Sequence, residues 1–158
     1  MPTDNTDVQY RRAGRVLLVH RGRVLLLHGS DPHRPQDGSW WFTVGGGCES
    51  GESTAEAARR EAYEETGFAL AGDLGPVVLH RTAEFDFEGV HCVQTEDFYL
   101  ALVDSDVVVT TGWTDLERRS VSGYRWWSLT ELAQTDESVY PQQLVALLSP
   151  LIEPIGLS

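Results

Sequence analysis

The apolar positions of this chain fall mostly into short runs of β type, with one long helical stretch set among them. Gly14 to His20 and Arg23 to His28 are rich in leucine and valine and are split by His20-Arg21-Gly22, which predicts a hairpin or two adjacent strands. Gly29 to Ser39 gathers Asp31, Pro32, Pro35, Asp37 and Gly38 and is expected as a loop. Trp40 to Val44 reads as a short strand feeding three glycines, with Trp40 and Phe42 on one face and Trp41 and Thr43 on the other. Ser53 is a good N-cap and Glu56 completes a capping box, so a helix is predicted from Thr54 until Gly67 supplies a left-handed C′ position. Pro76 to Phe87 and Val90 to Val103 then read as two long strands around the turn Glu88-Gly89. Asp104 to Ser122 is a polar stretch, long for a loop without a function. Gly123 to Ser128 is a last strand, Leu129 to Gln134 a short helix, and Pro141 to Leu148 a C-terminal helix stopped at Pro150.

Strands before and after a central helix, with a terminal helix to cover the other sheet face, make an α/β fold with a mixed sheet between helices the natural layered solution. Residues 1–12 are expected as a flexible tail and 13–158 as one domain. At 158 residues, 41% apolar and 23% charged, the chain has ordinary globular composition and enough length for a real core.

Charge narrows the possible partners. The formal charge of −12 leaves no basic stripe for a nucleic-acid polymer, while a small anion carried in by a metal stays compatible with it. All 12 basic residues are arginines, which excludes Schiff-base chemistry and a phosphate-loop lysine. No apolar run approaches the roughly 20 residues of a membrane span, and the polar start lacks the regions of a signal peptide, so no membrane partner and a cytoplasmic location are expected. Cys48 and Cys92 lie far apart and are read as reduced thiols. A homodimer is compatible with all of this.

The candidate chemistry lies between Gly45 and Leu70. Ala55, Ala58 and Ala62 fall on one helical stripe, and Glu61, Glu64 and Glu65 cluster in an adjacent arc of about 100°. Carboxylates about 6 Å apart repel by roughly 3 kcal/mol at an effective dielectric of 20, and only Arg60 is placed to relieve Glu64 at i, i+4. Such a face suits a hard divalent cation, which takes oxygen ligands and shares them with the phosphates of a substrate.

The spacing Gly46, Glu52, Arg60, Glu61, Ala62, Glu64, Glu65, Gly67, Phe68 resembles the signature of the Nudix hydrolases, G-x5-E-x7-R-E-U-x-E-E-x-G-U with U bulky and apolar. Ala62 is smaller than the usual aliphatic, and Val44 stands where many members have proline. The resemblance implies an α/β/α sandwich and a MutT-like pyrophosphohydrolase that needs Mg²⁺ or Mn²⁺. It implies Glu61, Glu64 and Glu65 as metal ligands, the Gly46 carbonyl as a further oxygen, and an Arg60–Glu52 pair that holds the loop, with Glu52 also a candidate ligand. Glu61, Glu64 and Arg60 would form the catalytic group. A further carboxylate from the later loop often assists in the family; Glu117 is the first choice, Asp115 the second, and Glu96 or Asp97 in the preceding strand are alternatives. The implied substrate is a small nucleoside diphosphate linked to another group, a nucleoside triphosphate or a nucleotide sugar. Two rivals remain at this point. One is a Nudix-like domain that binds a nucleotide or metabolite without cleaving it, and the other is a serine esterase built on Gly51-Glu52-Ser53-Thr54-Ala55, with Ser53 as nucleophile and His80 or His91 as base.

Overall fold

The computed structural model, which describes residues 8–32, 34–87 and 89–152, strings seven strands, four α-helices and one 3-10 turn (Pro35–Asp37) along those residues. Residues 1–7 of the expected tail and Glu88 of the expected turn lie outside the described residues. The strands are β1 (Val8–His20), β2 (Arg23–Ser30), β3 (Ser39–Gly47), β4 (Leu79–Phe87), β5 (Val90–Leu102), β6 (Val121–Ser128) and β7 (Val139–Tyr140). The helices are α1 (Thr54–Thr66), α2 (Asp115–Ser120), α3 (Leu129–Gln134) and α4 (Leu144–Ile152).

All seven strands join one mixed, curled sheet in the order β4-β5-β1-β2-β3-β7, with β6 paired to β2 and an added pairing of β1 with β3. The curl comes from β3, whose first half pairs with β2 (Leu26 opposite Thr43) and whose glycine end crosses to β1 (Gly14 opposite Gly46). β1 and β5 run parallel from Val8 opposite His91 to Val19 opposite Leu102, and both sheet faces are covered. In β1, Leu17 and Val19 join a core with Phe98, Trp127, Leu144 and Leu148 under α4, while Val16 and Leu18 join a second with Ala58, Ala62 and Tyr99 under α1. A strand buried on both faces reads as an unbroken apolar run, as Val16 to Val19 does. The α/β/α sandwich is therefore the observed fold, and no described helix is long and apolar enough to cross a membrane.

Several elements differ from expectation, mostly because tertiary contacts outvote local pattern. β1 begins at Val8, so residues 8–12, expected in a loose tail, are held by their parallel ladder with β5 more than by burial. The polar stretch before β6 contains α2, opened by a Thr114–Glu117 capping box that the sequence displays openly, and β6 itself starts two residues early at Val121. Val139–Tyr140 adds the edge strand β7, too short to show a period. The last helix starts at Leu144 and runs past Pro150, whose missing N–H falls in the final turn, where burial of Ile152 offsets much of the cost.

The contact between α1 and β1 has no slack. A Cβ built on Gly14 would overlap the Thr54 carbonyl oxygen and press on the Ala58 amide, so glycine there is what lets the helix lie on the strand. Gly14→Ala is expected to cost about 1–3 kcal/mol, read as a lowered midpoint in urea unfolding; an unchanged midpoint would mean the helix can lift off freely.

Candidate metal centre

The helix that carries the acidic arc is fixed at both ends. Ser53 accepts the Glu56 N–H while the Glu56 carboxylate accepts the Ser53 N–H, and Gly67, at φ 82°, returns its N–H to the Tyr63 carbonyl. The first turn is also tied sideways. Thr54 Oγ1 donates to Asp97 Oδ2 at 2.8 Å and lies 2.8 Å from the Tyr99 hydroxyl. With Ala57, Ala58 and Ala62 packed down, the acidic side turns toward the glycine end of β3.

At that end the glycines are needed as space. A Cβ on Gly46 would stand 2.6 Å from Glu61 Oε1. The Gly45 N–H donates to Glu65 Oε1 at 2.9 Å, and Glu65 is only 4% exposed. From the other side the segment before β6 closes over α1. Gly112 passes so near that a Cβ would meet the Glu64 carbonyl oxygen at 2.6 Å, and the Trp113 indole N–H donates to the Glu65 carbonyl at 2.8 Å. α2 then delivers Glu117. Carboxylate oxygens of Glu61, Glu65 and Glu117 lie within 4.8 Å of one another.

Such a trio is costly when its members are charged, since each pair at up to 4.8 Å repels by about 3 kcal/mol or more at an effective dielectric of 20. Burial, and then the charge of Glu61 and a hydrogen bond to Glu117, push Glu65 well above the usual carboxylate range against the pull of the Gly45 N–H. Burial likewise raises Glu61, with Glu117 and Glu64 adding to it and Arg60 opposing. A cluster of oxygen donors, short of cationic partners and wedged against glycine backbone, fits a hard divalent cation.

Arg60 organises the rest. Its Nε and Nη2 grip Glu52 at 2.9 and 3.0 Å, Nη2 also reaches the Gly47 carbonyl at 3.0 Å, and Nη1 meets Glu61 at 3.1 Å and Glu64 at 3.3 Å. The Arg60 hydrogen bond, helped by the Glu49 backbone, lowers Glu52 to about 2, and the same pairing raises Arg60. Both Glu52 oxygens are thus engaged by Arg60. Glu64 lines the cleft beside the trio, a cleft of about 860 Å³ that also takes in Gly46, Arg60, Glu61, Glu117 and Arg11.

The other candidates separate cleanly. Asp115 sits exposed in the first turn of α2 and is not part of the trio. Glu96 is buried but fully compensated, by Arg15 and Arg81 at 3.1 Å each and by Gln94 at 2.8 Å. Partial burial would raise Asp97, but bonds to His80 and Thr54 hold it below its ordinary value. Cys48 borders the cleft with its thiol pushed up by burial, the wrong direction for a nucleophile. Ser53 is the cap described above and has no histidine partner among the described residues. His80 pairs with Asp97, and His91 with Asp86 and Glu84.

Two outcomes test this arrangement. Ser53→Ala should cost about 1 kcal/mol of stability and leave any hydrolytic activity in place; loss of activity in a folded protein would restore the esterase. Glu52 is depressed in the folded state, so its pairing stabilises above the ordinary carboxylate value and fades as pH falls toward about 2. The melting-temperature gap between wild type and Glu52→Gln should accordingly be full near neutrality and narrow progressively below pH about 4.5. A gap independent of pH would disprove the charged pairing.

Comparison with known proteins converges on one family. The NUDIX domain family matches residues 9–148. Among solved structures, a MutT NUDIX hydrolase from Burkholderia pseudomallei is 22% identical, with 87% of this chain and 95% of that one aligned at a TM-score of 0.63. The NUDIX domain of Shewanella oneidensis NrtR, solved with ADP ribose, is 19% identical over 90% of this chain and 88% of its own, TM-score 0.63. A C. elegans Ap4A hydrolase, solved as a binary complex, is 16% identical over 91% and 98%, TM-score 0.59.

Proposed function

The chain belongs to the NUDIX domain family, whose hydrolases act on nucleoside diphosphate derivatives, and from that premise we propose that it is a divalent-metal-dependent pyrophosphohydrolase cleaving the diphosphate of a nucleoside triphosphate or nucleotide sugar. The observation that carries this reading is the convergence of Glu61, Glu65 and Glu117, with Glu61 and Glu117 on the wall of the cleft and Glu65 buried behind them.

These three carboxylates would hold Mg²⁺ or Mn²⁺. A bound cation of this kind neutralises phosphate charge, orients the diphosphate and makes water a better nucleophile. Glu61 is shared between this trio and Arg60, whose bonds to Glu52 and Gly47 keep the strand, loop and helix in register while the cleft fills. Glu64 lies beside the trio on the cleft wall and is the residue suited to take the proton from water as it attacks phosphorus. The P–O bond to the leaving phosphate breaks, and that oxygen departs with the second product. A separate hollow of about 480 Å³, walled by Trp40, Phe42, Phe85, Phe98 and Tyr140, offers aromatic surface for a base. The ADP ribose and Ap4A named for proteins of the same fold support including sugar and dinucleotide compounds in a screen.

A panel of nucleoside triphosphates, nucleotide sugars, dinucleoside polyphosphates and a simple ester, run with Mg²⁺, should give product only from diphosphate-containing compounds. Activity should vanish in excess EDTA, and in ¹⁸O-labelled water the label should enter a phosphate. Glu61→Gln or Glu64→Gln should cost several powers of ten in kcat with the fold retained. Full turnover in EDTA would eliminate the metal mechanism, and tight binding without cleavage of any member would mark a ligand-binding domain instead.

A further inference from the structure

β1 carries three arginines, and two of them are occupied. Arg12 donates to the Glu52 carbonyl at 3.1 Å. Arg15 is taken up by Glu96 and by the Thr43 and Gly45 carbonyls. Arg11 is half-buried, lines the acidic cleft and has no hydrogen-bond or ion-pair partner among the described residues. In a chain with a formal charge of −12, a half-buried guanidinium left without a carboxylate is out of keeping with its surroundings.

Its position is specific. A Cβ on Gly47 would lie 3.2 Å from Arg11 Nη2, so the guanidinium rests on the glycine end of β3. Glu61 rests on the neighbouring Gly46, and successive residues of a strand face opposite sides. Arg11 and the carboxylate trio therefore flank one thin backbone ribbon from its two sides. The register partner of Arg11 on β5 is Gln94, which lines the aromatic hollow. Along the sheet the sequence of features is aromatic hollow, Arg11, glycine ribbon, carboxylate trio.

We propose that Arg11 is a positioning residue that grips the phosphate on the nucleoside side of the diphosphate, between the base in the hollow and the metal-held phosphate at the trio. A guanidinium presents a rigid fork of donors matched to phosphate oxygens, and glycine beneath it leaves the ligand room to cross the ribbon. The inference rests on the nucleotide reading of the cleft, but Arg11 acts without the cation, and this separates the two experimentally.

The test is calorimetric titration in EDTA of the four ribonucleoside 5′-monophosphates and their parent nucleosides into wild type, Arg11→Ala and Arg11→Lys, each checked by thermal melting. Wild type should bind at least one monophosphate about tenfold or more tighter than its nucleoside, as expected of a hydrogen bond to a charged group. Arg11→Ala should erase that preference without changing nucleoside affinity, and Arg11→Lys should recover part of it. With Mg²⁺ and a cleavable substrate, Arg11→Ala should raise KM about tenfold while kcat stays within a few-fold. Equal binding of monophosphate and nucleoside by wild type, binding of neither, or a phosphate preference that survives Arg11→Ala would overturn the assignment. Arg11-dependent binding in a protein that cleaves no diphosphate would uphold the role of Arg11 and overturn the hydrolase reading alone.

Discussion

One guanidinium holds the acidic end of this molecule together. Arg60 bonds to the loop through both oxygens of Glu52, to β3 through the Gly47 carbonyl, and to its own helix through Glu61 and Glu64. Three segments that would repel or drift are pinned at one planar group whose fork geometry suits several oxygen acceptors at once. Arg60 is also partly buried, which strengthens these bonds relative to an exposed pair. Without that counter-charge the carboxylates of α1 would stand against each other and against Glu117 with no local relief.

The clamp works only because backbone can come close. Gly46 leaves room for the Glu61 carboxylate, Gly45 turns its N–H to Glu65, and Gly14 lets the start of α1 lie on β1. The acidic ridge is therefore pressed into a glycine-walled corner rather than spread on solvent, and it is this confinement that raises Glu61 and Glu65. Confinement and the shortage of cationic partners together give this helix face the chemistry that a hard divalent cation suits.

Much of this was legible in the sequence because the signals are local. The Ser53–Glu56 box, the Gly67 cap and the spacing from Gly46 to Phe68 each lie within a few turns of chain, and the helix runs where they place it. What depended on distant partners was not legible. Residues 8–12 look like a loose tail until β5 is laid beside them. Helical spacing ranks Glu64 with Glu61 and Glu65, yet only the approach of Gly112 and Trp113 to α1 decides that Glu117 joins Glu61 and Glu65 while Glu64 faces Arg60 and the open cleft. Glu117 over Asp115 was a choice between neighbours on a helix that polar composition hid, although the Thr114–Glu117 box was there to be found. Nothing local distinguishes Arg11 from Arg12; their difference is a partner, and partners come from tertiary structure.

The two buried glutamates show how the same burial can mean opposite things. Glu65 is 4% exposed and Glu96 is 5% exposed, so desolvation presses on both. Glu96 is met by two arginines and an amide, a neutralised cluster that ties β4, β5 and β1 together and has nothing left to offer a ligand. Glu65 is met by one backbone N–H and two more carboxylates. A buried charge that is fully paired contributes to architecture, while one surrounded by its own sign either holds a proton or needs something positive beside it. Burial does not separate them, and neither does residue type. The sign of the neighbours does: arginines and an amide around Glu96, carboxylates around Glu65.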